Sequence, residues 1–437
     1  MGIVNTLKRR VATRLLARST RHGIDLRTLR FLPDSITMPL QRDGLDPLPE
    51  LAQVRAATPV TQLARMFGKG IWLVSGYDEA RALLARGDQL SNDLGQFVSQ
   101  EGRDPSEQIG GLGMTDPPHH TVLRKYLTPE FTKHKLARLE PLIEQIVEAR
   151  LDAMDAGGTV VDLVGQFAFP VPFEVICELL GLPVDDRERF HSLGAARFDL
   201  SQGGAGVFGA AAHTREFLIS QVAQQRLAPG VGLIGSLLRE HGHELDDVTL
   251  GGLADGVFLG GYETSASMLA LGTYLLAQNP EAMAMLRQDD AVVDRVVEEL
   301  LRHLTVVQLA FLRFAREDFE LGGQQIKAGD CIGISLLGAN RDPALAEDAD
   351  VFDPRRDPTR HLAFGHGLHR CVGAELARME LRIALRALAC RFPDLEVAED
   401  DDKLDFRKLS AVYGVDRLPV RLRAAQDASQ ATVTIGA

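Results

Sequence analysis

The stretch Phe364–Gly373, reading FGHGLHRCVG, constrains this chain more than any other. Leu376, Met379, Leu381, Ile383, Leu385 and Leu388 follow it, with Arg378, Arg382 and Arg386 between them. That pattern predicts a helix directly after the loop. Cys371 is therefore placed where a loop enters a helix. The first N–H groups of a helix have no intrahelical partner, and the positive end of the helix dipole faces them. Both effects favour a thiolate over a thiol. Gly365, Gly367 and Gly373 let the backbone turn sharply and let something large and flat approach it. A thiolate in such a loop is suited to iron, and below a haem iron it favours cleavage of the O–O bond. Two other readings compete. A lone cysteine is commonly a small buried hydrophobe. His366, His369 and Cys371 also have zinc-like spacing, but that site needs a fourth ligand and leaves Phe364 and the glycines unexplained.

Phe364-x-x-Gly367-x-x-x-Cys371-x-Gly373 resembles the haem-binding signature of the cytochromes P-450. The resemblance extends over nearly all of the chain beyond the first 50 residues, with motifs in the family's order. It implies a mainly α fold with a smaller β-rich region, one haem domain over 33–424, and haem b as cofactor. Cys371 would be the axial ligand, with Phe364, Gly367 and Gly373 shaping its loop. Asp116-Pro-Pro-His-His-Thr-Val-Leu-Arg124 resembles the segment that reaches the haem propionates. His120 and Arg124 are four apart and share a helix face; Arg313 and His369 would join them. His119 stands where the family commonly has an acid.

A long helix is predicted from about Asp246 to Gln278, ended by Asn279-Pro280. It carries Gly251, Gly252, Gly256, Gly260, Gly261 and Gly272, each weakening a helix by about 1 kcal/mol relative to alanine. Gly260 and Gly261 share a face with Thr264. They would clear a groove and allow a local opening of the helix. Gly260-Gly261-Tyr262-Glu263-Thr264 resembles the family's acid–alcohol pair. By that resemblance Thr264 hydrogen-bonds dioxygen at the haem and orders a water, while Glu263 relays protons from solvent. Alone, a helical threonine reads as a back-bonded structural residue. Family members that use hydrogen peroxide directly often lack the pair, so its presence favours dioxygen and two electrons. Glu299 and Arg302 fall three apart on a strongly patterned helix over Val292–Leu304. With Arg356 they match the buried network that holds the family's cysteine loop. Val306 departs from the family's frequent proline.

The substrate pocket is expected to be lined by Phe97, Leu112, Phe258, Gly260, Val307, Leu309 and Val415, a largely apolar set that fits a hydrophobic organic molecule. Residues 91–113, glycine-rich and polar, read as a loop covering the substrate, and Gly194–Ala212 as a loop linking two roof helices. Residues 57–90 predict strands and a helix, with Gly70–Ser75 a strand and Asp78–Arg86 helical. Residues 135–195 read as helices.

The net charge of −12 over 437 residues argues against a nucleic-acid partner, although Arg124, Lys125, Lys133, Lys135 and Arg370 offer a local basic patch. No run of about 18 apolar residues exists, so no transmembrane segment is expected. The four cysteines, at 177, 331, 371 and 390, show no framework spacing and suit a reducing cytoplasm. Residues 1–32 form a basic amphipathic segment, and 425–437 read as a disordered tail. No flavin or reductase segment is present, so electrons would come from a ferredoxin and a ferredoxin reductase. The implied activity is haem-thiolate monooxygenation, placing one oxygen atom from dioxygen into the substrate by hydroxylation or epoxidation. The alternative is a haem-thiolate protein that binds or presents a substrate without oxidising it.

Overall fold

A computed structural model describes residues 33–66, 68–93, 111–198 and 204–422. The expectations for 1–32, for Phe97 and most of its loop, and for 425–437 lie outside the described residues. The principal helices are α1 (Tyr77–Leu84), α2 (His119–Leu127), α3 (Glu140–Ala156), α4 (Pro170–Leu180), α5 (Val184–Phe198), α6 (Gly204–Leu227), α7 (Asp247–Ala277), α8 (Asp290–Leu304) and α9 (Ala374–Arg391). The strands that matter are β1 (Val60–Met66), β2 (Lys69–Val74), β3 (Leu90–Ser91), β4 (Val160–Asp162), β5 (Arg313–Ala315), β6 (Cys331–Ile334), β7 (Glu396–Val397) and β8 (Pro419–Arg421). A five-stranded sheet runs β1-β2-β6-β5-β3, and a three-stranded sheet runs β7-β8-β4. In the larger sheet only β2 and β6 pair in parallel.

Helix α7 is the axis of the molecule. Asp246 caps it by accepting the Thr249 N–H at 2.6 Å, which satisfies one of the orphan donors of the first turn. Its C-terminal half is buried on nearly every side, from Ser265 to Leu276. α3, α4, α8 and α9 pack into the same apolar core. The expected boundaries of this helix are met within a residue at each end.

Two stretches differ from expectation. Residues 135–195 are interrupted by β4 and by one π-helical segment at Val164–Ala168. There Asp162 accepts the N–H groups of Val164 and Gly165 at 3.2 Å, competing with the helical pattern. Gly194–Ala212 is helical over much of its length, since α5 runs to Phe198 and α6 begins at Gly204. Its alanines are the strongest helix formers, which outweighs the glycines.

Candidate active site: a cavity between the long helix and the cysteine loop

A cavity of about 890 Å³ lies between α7 and the Phe364–Gly373 loop. The loop is fixed from both ends. Cys371 N–H donates to Phe364 O at 2.9 Å, and α9 begins three residues later. Gly365 and Gly367 hold φ values of 68° and 70°, which non-glycine residues rarely adopt. The loop brings Phe364, His369, Cys371 and Gly373 to the cavity wall. Gly367 is not there, contrary to expectation. A Cβ on it would meet Leu84 O at 2.4 Å, so it serves the close packing of the loop on the end of α1.

Cys371 is exposed, and it opens into the cavity, so it is not a buried hydrophobe. Burial of its surroundings pushes the thiol pKa up; the Gly373 N–H, Arg124, Arg370 and Arg378 pull the other way. Among the described residues no three His, Cys, Asp or Glu side chains converge on a metal-binding arrangement, which removes the zinc reading of His366, His369 and Cys371.

The four residues expected at the cofactor's carboxylates meet on the same cavity. His120 and Arg124 come from α2, Arg313 from β5, and His369 from the cysteine loop. The His120 and His369 rings are 4.3 Å apart. Both nitrogens of His120 and Nδ1 of His369 are buried without a hydrogen-bond partner. Burial, with Arg124 adding to it, lowers the His120 pKa; burial and Arg313 push His369 down to about 3. Burial likewise pushes Arg313 down to about 10. Unpartnered buried donors are costly and call for an acceptor. Phe311 and Leu312, exposed large apolar side chains, also face this space. Donors at one edge, apolar faces elsewhere and a sulfur at the floor fit an amphipathic, carboxylated macrocycle such as haem.

The opposite wall is α7, contributing Gly256, Gly260, Gly261, Glu263 and Thr264. The helix runs unbroken here, and Thr264 Oγ1 donates to Gly260 O at 2.7 Å, so the expected local opening is absent. Burial pushes Glu263 up to about 7, against the pull of Arg407, whose Nη1 lies 2.8 Å from its Oε1. Leu112, Val307 and Leu309 line the cavity. Phe258 does not. It is fully buried on the far side of α7, tilted against Phe190 and stacked on Tyr262. Val415 is also core, bridged to Phe406; Leu409, Ala411 and Val412 of the same segment reach the cavity instead.

Behind the loop, Arg302 Nε and Nη2 grip Glu299 at 2.7 Å each, and Arg356 Nε joins at 3.3 Å. Arg302 also donates to the carbonyls of Asn340, Ala349 and Val351. The pair is buried, and every donor is used, as an internal ion pair requires. Of the basic patch, Arg124 points inward, while Lys133 and Lys135 are paired with Glu375 and with Glu130 and Glu240. Lys125 and Arg370 are exposed.

Two acids escaped the sequence reading. Glu380 on α9 is buried on the cavity wall, its pKa pushed up to about 8 by burial against a hydrogen bond with Ser265. Its signal was an acid one turn after Leu376, on the apolar stripe. Glu298, beside Glu299, holds Arg378 and His361; nothing local marked it.

The chain matches the family model described as Cytochrome P450 over residues 224–419. It is 39% identical over 395 residues to Cytochrome P450 165B3 of Amycolatopsis orientalis, covering 87% of this chain and 97% of the relative. It is 36% identical over 385 residues to 6-deoxyerythronolide B hydroxylase of Saccharopolyspora erythraea, covering 85% and 95%. Among solved structures it superposes with a TM-score of 0.79 on OxyC, a cytochrome P450 implicated in an oxidative C–C coupling reaction during vancomycin biosynthesis, at 36% identity over 87% of this chain and 96% of that one.

Proposed function

The chain belongs to the cytochrome P450 family of haem-thiolate monooxygenases, and we propose that it oxidises a hydrophobic organic substrate of secondary metabolism with the residues gathered on its central cavity. What carries this reading is the set of partnerless ring nitrogens on His120 and His369 above a cavity into which Cys371 opens. In it, Cys371 binds the iron of haem b, and His120, Arg124, Arg313 and His369 hold its propionates. The haem supplies reductive activation of dioxygen.

The chain's own residues do the rest. Gly260 leaves open space on the α7 wall for small reacting groups. Thr264, one turn on, presents a hydroxyl that can leave the Gly260 carbonyl and donate into the cavity. Glu263 alternates between carboxylate and carboxylic acid near neutral pH and so can pass protons inward. The apolar wall of Leu112, Val307, Leu309 and Val412 orients the substrate and limits water. Two electrons per turnover arrive from a ferredoxin and its reductase, docked over the exposed Lys125 and Arg370, in the cytoplasm. Among the described residues no helix is long and apolar enough to cross a membrane.

A second reading concerns the outcome at the substrate. The likeness to OxyC favours an oxidative C–C coupling in place of oxygen insertion. One experiment separates the readings. The reduced protein with carbon monoxide should show the absorption band of thiolate-ligated haem, absent in Cys371→Ala. Turnover under isotopically labelled dioxygen should then give a product carrying one labelled oxygen. A product lacking two hydrogens and carrying no label favours coupling. No band in the parent protein overturns both.

A further inference from the structure

We infer that Arg407 is a positioning residue for Glu263, held between that cavity-facing carboxyl and the surface carboxylate of Asp416, which competes for it. The inference rests on the proton-relay role proposed above for Glu263. Neither Arg407 nor Asp416 belongs to the acid–alcohol motif, and both come from a segment distant in sequence.

Residues 405–416 fold back on themselves. Arg407 N–H donates to Gly414 O at 2.8 Å, Asp416 N–H to Asp405 O at 3.0 Å, and Phe406 and Val415 form a bridge between them. Arg407 and Asp416 thus stand at the base of the fold-back, while Leu409, Ala411 and Val412 at its tip line the substrate cavity. From the base, Arg407 Nη1 reaches Glu263 Oε1 at 2.8 Å and Nε reaches Asp416 Oδ1 at 2.6 Å. The guanidinium also lies 5.4 Å over the Phe169 ring. Side-chain exposure is 17% for Glu263, 13% for Arg407 and 63% for Asp416. The arginine is therefore the layer between a carboxyl at the cavity and a carboxylate in solvent.

One cation shared between two acids has a definite consequence. A full-strength pair with Arg407 would hold Glu263 as an anion and bind its oxygens away from Thr264. Asp416 draws on the same guanidinium and weakens that hold. The charged and titratable groups facing Glu263 are Arg407 and Asp416 from this segment and Tyr262 on its own helix, whose hydroxyl burial keeps neutral. The proton balance is simple. A proton from surface water converts the Glu263 carboxylate to the acid; the same proton leaves toward the Thr264 side and restores the carboxylate. Arg407 and Asp416 keep their charges, and nothing is oxidised or reduced.

The test is an infrared titration of the Glu263 carboxyl band in the ferric holoenzyme, assigned by its loss in Glu263→Gln. Arg407→Gln should move the titration upward by about one pH unit, since an attractive cation within reach of a carboxylate lowers its pKa by that order. Arg407→Lys should return most of the shift. Asp416→Asn should move it the opposite way, downward and by less. The pH at which coupling of electrons to product changes should follow each shift. No shift in the Arg407 and Asp416 variants, or shifts of one sign in both, overturns the inference. Should Arg407→Gln not fold, the sign for the exposed Asp416→Asn decides it. Coupling undisturbed in Glu263→Gln would instead sink the relay role itself, a separate result that the band positions do not affect.

Discussion

Glu298 on α8 holds Arg378 on α9 by two bonds, Nε to Oε1 at 2.5 Å and Nη2 to Oε2 at 3.0 Å, and the same guanidinium lies 4.6 Å over the Phe364 ring. The pair thus clamps the first residue of the cysteine loop to the helix that follows it. Burial pushes Glu298 up, but hydrogen bonds from His361 and Arg378 outweigh it and hold the carboxyl at about 2. A depressed folded pKa contributes stability above the unfolded value near 4.5 and loses it as pH falls toward 2. Glu298→Gln should therefore cost about 3 kcal/mol at neutral pH, from the size of the shift. Denaturant unfolding of parent and variant should converge between pH 5 and 2. A gap that stays constant over that range would show the carboxylate's charge to be irrelevant.

The His120 side chain has no hydrogen bond within the protein to lose, and that makes its replacement informative. His120→Ala should destabilise the haem-bound protein more than the haem-free chain, in which only the packing of the buried ring is lost. It should speed haem transfer to a scavenging apoprotein about 10- to 100-fold, the worth of one hydrogen bond to a charged group. Arg124→Ala should act in the same direction. Equal destabilisation of the haem-free and haem-bound protein would instead make His120 a packing residue.

Thr264 donates its hydroxyl to a backbone carbonyl one turn back, a bond of little value to a helix. Thr264→Ala should change stability by less than about 1 kcal/mol while diverting reducing equivalents to hydrogen peroxide. Product and peroxide are measured together against electron-donor consumption. Unchanged coupling would confine the hydroxyl to its structural bond.

The parts legible in the sequence were those encoded by short spacing. Cys371 before a helix, His120 and Arg124 four apart, and Glu299 and Arg302 three apart each fix a local geometry that the tertiary fold preserves. Direction around a helix is encoded locally as well. Phe258 lies about 200° from Gly260 at the helical pitch, so its place in the aromatic cluster with Phe190 followed from the same periodicity. Partnerships across the chain left no trace. Glu263 meets Arg407 over 144 residues, Glu298 meets Arg378 over 80, and Gly367 is set by a carbonyl at Leu84. No pattern within one segment encodes the other half of such a pair.

The glycines of α7 look alike in sequence and do opposite things in space. A Cβ on Gly251 would meet Ile219 Cγ1 at 2.5 Å and its Cα at 2.9 Å, so this glycine lets α6 approach α7. A Cβ on Gly260 meets nothing within 4 Å, although Gly260 lies on the cavity wall. Protein packing therefore gives no reason for a glycine at 260, and helix propensity argues against one. Gly260→Ala should raise stability by about 0.5–1 kcal/mol, whereas Gly251→Ala should lower it despite the same propensity gain. The gain at 260 comes with a methyl group in the space above the cysteine. Substrate affinity, read from the visible spectral change on binding, should then fall for bulky substrates and hold for small ones. Stabilisation in Gly260→Ala with no change in that preference would remove residue 260 from the substrate's surroundings.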